Sequence, residues 1–447
     1  MRIRARIVSV MALAALAAAG CGKIAAINQP VPPGAADFRT YVALGTSITA
    51  GFESGGLVVH HQQHAFPDLF ARQVGMADFT LPSISSDGIP PLLRIVSLSP
   101  LVVSSAGRTL GSPTNLLQAA PYDNLGVPGA LLVDAADSSF YYSNPFGRPS
   151  TMFDLIVRHR GTLLAQAASL SPTFVTFEYG ANEVLGPATS GSGSVTPSPA
   201  EFAALLHLTL DGLRAAAPAA KVAIFNVPDV TSIPFVTTFP PLTVSATTGA
   251  PMPLLGTGGP LSSGDHVLLT AAESLAVGTG FAAGAYDYVN PVAGGNGRPL
   301  DDDQVLTASE AASVQSAVVG YNAAIAGEAA ARGFALADLH GLLARASSTG
   351  LRFQGTTYTS AYVTGGLFSL DGVHPTDLAY GFVANLLIDA VNATFHARIP
   401  PVDLAEAATL TSSRMRPVGP DARLGPVIQD ARRIYSRMFP SRSAPIP

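Results

Sequence analysis

The sequence predicts a three-layer α/β/α sandwich with a parallel sheet of about five strands. Short apolar runs alternate along the chain with stretches of helical spacing, which is the pattern of strand-helix-strand units. The clearest apolar runs are residues 41–44, 173–179, 221–227 and 334–339. The chain of 447 residues is 48% hydrophobic, which suffices for a large core.

The charge balance excludes one broad class of partner. Only 12% of the residues are charged, the formal net charge is -5 and the isoelectric point is about 6.0. A binding surface for nucleic acid or another polyanion needs a basic excess, which this chain lacks. We therefore predict no nucleic-acid partner.

The N-terminus has the features of an export signal. Arg2, Arg4 and Arg6 precede an apolar stretch at 7–19 that is too short to cross a bilayer comfortably. Cys21, the only cysteine, follows small residues at 18–20 and resembles the acylated residue of a bacterial lipoprotein. We predict a lipoprotein signal peptide at 1–20, a Pro-rich tether at 21–38 and a lipid anchor in the bacterial cell envelope. An ordinary signal peptide cleaved nearby is the alternative.

A serine and a histidine lie where a nucleophile and its base are expected. Ser47 follows the first predicted strand, and ligands of open α/β sheets bind outside the carboxyl ends of the strands. His374 precedes Pro375, which biases it away from helical backbone, so it should lie on a loop before the last helix. Asp371 is close enough in sequence to orient the imidazole. A helix-capping role for Ser47 is the alternative.

Two further turns offer donors for a developing oxyanion. The loop at 124–130 contains Gly126, whose backbone N–H has no side chain to shield it. The turn at 180–183 follows a predicted strand and carries the Asn182 amide. Each turn taken singly also fits a purely structural role.

In this order, the four stretches resemble the SGNH family of GDSL-type esterases and lipases. The matching blocks are 45–47, 124–126, 180–183 and 371–375. The resemblance implies Ser47 as nucleophile, His374 as general base and Asp371 as the residue that orients it. It also implies an oxyanion hole from Ser47 N–H, Gly126 N–H and the Asn182 amide, and chemistry without a metal or organic cofactor.

Two positions depart from the family pattern. Thr46 stands where the family usually has Asp or Asn, and Glu183 where it has Asp. Neither position carries the chemistry in the family, so we expect altered hydrogen bonding in these loops and no loss of activity.

The competing serine-hydrolase motif, the nucleophile elbow Gly-x-Ser-x-Gly, is excluded because Thr49 stands where its second glycine is required.

The predicted hydrolase domain, 39–400, carries two insertions. Residues 80–120 should form a hairpin-like excursion, and 235–306 should rise on the catalytic side as a substrate-covering or lid-like segment. The tail at 401–447 should contain a short amphipathic helix, because residues 424–438 have helical spacing.

A group of three histidines could suggest a metal site. His60, His61 and His64 are interpreted as a solvated loop at the cleft rim, because no carboxylate or cysteine cluster accompanies them.

The predicted function is serine hydrolysis of carboxylic acyl esters, from a small-molecule or lipid substrate. A polysaccharide O-acetyl esterase of the same fold is the first alternative, although the absence of tryptophan mildly disfavours a sugar-stacking site. A catalytically inactive surface-binding lipoprotein is the second, and only Thr46 favours it. The sequence does not predict the oligomeric state.

Overall fold

The computed structural model describes residues 31–98, 101–138, 151–285, 294–414 and 427–428. The predicted signal peptide, Cys21 and the first part of the tether lie outside them. Most of the amphipathic stretch predicted in the tail also lies outside. The exception is Val427–Ile428, which forms a short strand where a helix was predicted.

Five parallel strands form the central sheet. They are β1 (Tyr41–Gly45), β2 (Asn124–Gly126), β3 (Phe174–Glu178), β4 (Lys221–Phe225) and β5 (Ala335–Ala337). Their order is β5-β4-β3-β1-β2, and all neighbours are parallel. Every residue of β1 and β3 is buried, as expected for a parallel sheet with helices on both faces. The predicted five-stranded α/β architecture is confirmed.

Helices cover both faces of the sheet. In chain order the α-helices are α1 (Ser47–Ala50), α2 (Val59–Gln62), α3 (Phe66–Gln73), α4 (Leu132–Ala136), α5 (Thr151–Ile156), α6 (Leu163–Ser169), α7 (Ala181–Thr189), α8 (Pro199–Ala216), α9 (Pro234–Thr237), α10 (Ala272–Ala276), α11 (Ala308–Arg332), α12 (Leu339–Ser348), α13 (Asp377–Phe395) and α14 (Ala405–Arg414). One layer contains α13 packed on α3 and β5. The other contains α8, which contacts α4, α6 and α11.

Aromatic side chains join the first layer to the sheet. The Phe70 ring of α3 lies 5.1 Å from Tyr41 of β1 and 5.4 Å from Phe174 of β3, measured between centroids. All three side chains are fully buried. Such rings bury large apolar areas, so this contact fixes α3 against the strand that leads to Ser47.

The two insertions form small units beside the sheet. In the first, strands Arg94–Leu98 and Leu101–Ser104 form the expected antiparallel hairpin. The second contains α10 and three antiparallel strand pairs, which are Leu242–Val244 with Pro251–Pro253, Leu255–Gly256 with Gly259–Pro260, and His266–Val267 with Val305–Leu306. Phe235 N–H donates to the Gly372 carbonyl at 2.8 Å, so the start of this insertion is bound to the turn that carries Asp371 and His374. A lid function for it stays a prediction.

The packed body extends beyond 39–400 at both ends. Ala36 and Phe38 are buried, and Arg398 N–H donates to the Pro32 carbonyl at 2.9 Å. Leu404 is buried too and contacts α13 at Gly381, which has no side chain to obstruct it. The end of the predicted tether and the start of the predicted tail therefore belong to the domain, because their apolar side chains have a core to pack against.

One helix among the described residues is long and apolar enough to cross a membrane. It is α13, with 19 residues. Its apolar face includes Leu378, Leu387 and Val391, all fully buried. Because that face packs on α3 and β5, we interpret α13 as a core helix of the sandwich.

Candidate active site

Ser47 lies where three sequence blocks meet at one edge of the sheet. Strand β1 ends at Gly45, and Ser47 is the first residue of the short helix α1, which ends at Gly51 with a positive φ of 78°. In the sheet register Gly45 pairs with Gly126 on one side and with Glu178 on the other. The carboxyl ends of β2 and β3 therefore flank the serine, as the strand polarity predicts.

Ser47, His374 and Asp371 form a continuous hydrogen-bonded chain. His374 Nε2 lies 2.9 Å from Ser47 Oγ, and His374 Nδ1 lies 3.0 Å from Asp371 Oδ2. The exposed fractions of Ser47, His374 and Asp371 are 6%, 3% and 0%, so little water competes for these bonds. The arrangement permits His374 to take the hydroxyl proton while Asp371 binds the opposite ring nitrogen.

Asp371 is held by four donors. Its Oδ1 accepts the N–H groups of Val373 at 2.9 Å and His374 at 2.8 Å, and its Oδ2 accepts Gly55 N–H at 2.9 Å beside the imidazole. Burial by itself raises the pKa of this carboxyl, but His374 and the backbone donors outweigh it, so the pKa of Asp371 lies below its usual value. The carboxyl therefore stays ionised at neutral pH and holds His374 in one orientation.

The predicted oxyanion donors Asn182 and Gly126 differ in whether a hydrogen remains available for a substrate oxygen. Asn182 Nδ2 donates to the Ala130 carbonyl at 2.7 Å. An amide nitrogen carries two hydrogens, so one remains for a substrate oxygen. Gly126 N–H, by contrast, donates to Asn124 Oδ1 at 2.9 Å. The other end of the Asn124 amide, Nδ2, donates to the Thr49 carbonyl at 2.8 Å. This bond connects the loop to α1 and orients Oδ1 toward Gly126 N–H.

The comparison with protein families gives a match over most of the chain. The model of the family described as GDSL-like Lipase/Acylhydrolase matches residues 41–387, well over half of the chain. The chain belongs to this family. All four blocks noted in the sequence fall inside the matched range. The resemblance to the GDSL-type hydrolases is thus confirmed, and membership implies a hydrolase.

The chain is also similar to a solved structure. It is an extracellular lipase from Streptomyces rimosus, 15% identical, covering 79% of this chain and 98% of that one, with a TM-score of 0.34. No curated protein sequence matches the chain.

A buried glutamate anchors the Ser47 turn of this GDSL family hydrolase. Glu178 ends β3 and accepts hydrogen bonds from Thr46 N–H at 3.0 Å, Thr46 Oγ1 at 2.9 Å and Thr49 Oγ1 at 3.0 Å. Burial raises the pKa of Glu178 to about 6 despite these donors. Thr46, which departs from the family pattern, thus donates both its backbone N–H and its hydroxyl to Glu178. The sequence analysis missed Glu178, although an acidic residue inside an apolar strand was a visible signal.

An apolar cavity, partly open to solvent, adjoins the catalytic turns. Ile48, Val373 and Pro375, which are sequence neighbours of Ser47 and His374, line its near side. The other lining residues belong mainly to α12 and α13 and are also apolar; they include Leu342, Leu343, Ala346, Ala379 and Phe382. The site therefore combines a polar hydrogen-bonded chain with an adjacent hydrophobic space.

The histidines near residue 60 are not the solvated loop that was predicted. His61 is buried in α2, and its Nδ1 lies 2.9 Å from Asp377 Oδ1 and 3.3 Å from Glu53 Oε2. The sequence analysis saw no carboxylate beside the histidines, because Glu53 and Asp377 come from other segments. His60 and His64 fit the prediction better, since they are exposed and partly exposed.

Proposed function

We propose that this GDSL family hydrolase is a serine esterase or lipase that cleaves carboxylic acyl esters through an acyl-enzyme. The observation that carries the proposal is the chain Ser47–His374–Asp371, with both histidine nitrogens within 3.0 Å of their partners. A serine hydroxyl is a weak nucleophile unless a base within hydrogen-bond reach removes its proton. His374 has that reach.

The reaction divides into two acyl transfers. In the first, His374 Nε2 takes the Ser47 proton while Oγ attacks the ester carbonyl, and the imidazolium then gives the proton to the departing alcohol. In the second, His374 takes a proton from water, the hydroxide attacks the acyl-serine, and the proton returns to Ser47 Oγ as the acid leaves. Asp371 stabilises the imidazolium in both halves.

The tetrahedral intermediates require donors for the carbonyl oxygen. We assign Ser47 N–H and the second hydrogen of the Asn182 amide to this role, and Gly126 N–H as a third donor. For Gly126, the substrate oxygen would compete with Asn124 Oδ1, which accepts this N–H at 2.9 Å. The Glu178 bonds to Thr46 and Thr49 support the first donor, because they hold the turn from which Ser47 N–H projects.

The apolar cavity favours an acyl chain over a sugar. The described residues that line it are all apolar, from Ile48 beside Ser47 to Leu343 and Ala346. An acyl chain that binds there is transferred out of water, and each methylene that becomes buried contributes about 0.8 kcal/mol to the binding free energy. Sugar hydroxyls would find no hydrogen-bond partners among these side chains.

A chain-length series of p-nitrophenyl esters tests this function. We expect kcat/KM to rise about fourfold per added methylene until the cavity is filled. Ala379→Leu, which places a larger side chain on the cavity wall, should lower activity on long esters and spare the acetate. Ala390→Leu is the matched control, because Ala390 lies on the same helix, is similarly half-buried and does not line the cavity.

Other outcomes would redirect the proposal. Activity confined to acetate would move the function toward O-acetyl groups of polysaccharides, and the next substrate would be an acetylated glycan. A folded protein that hydrolyses no ester would favour the non-catalytic binding lipoprotein.

We propose further that the enzyme is exported and carries a lipid anchor on Cys21. The support is the run of Arg2, Arg4 and Arg6, the apolar stretch at 7–19 and the single cysteine after it. Palmitate labelling in bacteria that express the chain should mark the wild type and not Cys21→Ser. Equal labelling of the two proteins, or of neither, would contradict the anchor.

A further inference from the structure

A buried cluster of two carboxylates and an imidazole lies apart from the Ser47 chain. Glu53 comes from the turn after α1, His61 from α2 and Asp377 from the start of α13, with exposed fractions of 1%, 5% and 3%. One ligand atom of each lies within 4.8 Å of the other two. We propose that this cluster binds one divalent transition-metal ion, with Zn²⁺ the best match.

Electrostatics provide the first argument. Two carboxylates buried side by side repel each other unless a cation or a proton neutralises them. The ion-pair partners of Asp377 are histidines, namely His61 at 2.9 Å and His60 at 3.9 Å. In addition, Asp377 Oδ2 is buried, and the Asp377 carboxyl lies within hydrogen-bond reach of the Glu53 carboxyl, a contact that requires either a shared proton or a cation in its place. A buried carboxylate oxygen in this state has the lone pairs that a metal ion requires.

A second histidine cluster in the same protein shows the contrast. On the surface, His207 lies beside Asp211 and Glu328. There Arg332 supplies the positive charge, with its guanidinium 2.8 Å from Asp211 and 2.7 Å from Glu328. That surface cluster already contains its cation. In the buried cluster, Asp377 pairs with the imidazoles of His61 and His60, and no Arg or Lys among the described residues forms an ion pair with it.

The spacing of the ligand atoms fits a small ion. Zinc binds imidazole nitrogen and carboxylate oxygen at about 2.0–2.2 Å in tetrahedral geometry, which separates its ligand atoms by about 3.3–3.6 Å. The separations from His61 Nδ1 are 3.3 Å to Glu53 Oε2 and 2.9 Å to Asp377 Oδ1. Movements of a few tenths of an ångström would open the centre, and the ion would bind His61 Nδ1 while the imidazole keeps its proton on Nε2. Mixed nitrogen and oxygen ligands select zinc-like ions over calcium or magnesium.

The exposed side of the cluster supplies access and a fourth ligand. His60 is half-exposed, and its Nε2 lies 3.9 Å from Asp377 Oδ2. His60, His64 and Asp377 form a second group with ligand spacing around the same aspartate. An ion arriving from solvent would therefore meet histidines before reaching Glu53 and His61. With three protein ligands and His60 or water as the fourth, coordination would be complete.

A bound ion would join two segments that also hold Asp371. Glu53 lies two residues before Gly55, whose N–H donates to Asp371 Oδ2, and Asp377 lies three residues after His374. We therefore assign the ion a structural role, fixing α13 to the turn after α1. Its binding is measurable without any substrate, so the proposal stands or falls independently of the esterase function.

Cobalt titration of the purified full-length protein tests the site. After treatment with EDTA and dialysis, CoCl₂ should produce the strong visible absorption of four-coordinate Co²⁺ at one equivalent, and ZnCl₂ should abolish it. Glu53→Gln and His61→Asn should weaken binding about 100-fold or more, while His207→Gln should bind as the wild type does. ZnCl₂ should also raise the Tm of the wild type and leave that of His61→Asn unchanged.

Three results would overturn the proposal. They are no cobalt bound at one equivalent, only the weak absorption of six-coordinate cobalt at surface carboxylates, and binding that is equal in the wild type and both cluster variants. The first two are measured on the wild type, so they remain decisive even if a variant does not fold. Any of them would leave the cluster as a hydrogen-bonded network neutralised by protons.

Discussion

Ser47→Ala is expected to abolish ester hydrolysis, with kcat lower by a factor on the order of 10⁶. The alanine side chain has no oxygen to form the acyl-enzyme, so the two-step route disappears and only direct attack by water remains. Substrate binding should change little, because the apolar cavity that contacts the acyl chain does not include Ser47. The loss should therefore appear in kcat and leave KM nearly unchanged.

A fluorophosphonate probe makes this test specific to the residue. The probe should label Ser47 in the wild type and nothing in Ser47→Ala, with mass spectrometry identifying the labelled peptide. Ser348→Ala, a change on the exposed end of α12, should be labelled and active like the wild type. Ester hydrolysis by folded Ser47→Ala at more than a small fraction of the wild-type rate would show that another group is the nucleophile.

Much of the fold and of the Ser47 chain could be predicted because the signals are local. An apolar run that ends in Gly45 predicts both a buried strand and a turn that presents Ser47. Strand polarity then predicts that the blocks at 124–126 and 180–183 reach the same edge, as the register of Gly45 with Gly126 and Glu178 bears out. Asp371 and His374 are only three residues apart, so their contact depends on a single turn.

Contacts between distant segments were not predictable in the same way. Glu53 and His61 meet Asp377 only because α13 docks beside α2, more than 300 residues along the chain. No spacing rule connects such positions, so the histidines were interpreted without their carboxylates.

The hydrogen bond of Gly126 could not be predicted from the sequence for a different reason. Whether its N–H faces the substrate or Asn124 Oδ1 depends on one side-chain rotamer, which sequence patterns do not contain.

The second large effect is expected for Asp371→Asn, with kcat lower by about 10⁴. Asp371 Oδ1 accepts two backbone N–H groups, from Val373 and His374, so the amide oxygen of Asn should occupy that position. The amide NH₂ then takes the place of Oδ2, where it faces His374 Nδ1 and Gly55 N–H. An NH₂ donor there forces His374 Nδ1 to accept, which moves the imidazole proton to Nε2. His374 would then point an N–H at Ser47 Oγ and lose its ability to remove the proton.

This substitution separates the orienting role of Asp371 from a role in packing. Steady-state kinetics on p-nitrophenyl esters should show a large fall in kcat with KM nearly unchanged, because the NH₂ group is close in size to the oxygen that it replaces. Circular dichroism should confirm that the variant is folded, and Asp78→Asn, an exposed aspartate, is the control that should retain full activity. Activity within about tenfold of the wild type would contradict the proposed role, since the wrong tautomer of His374 cannot serve as the base.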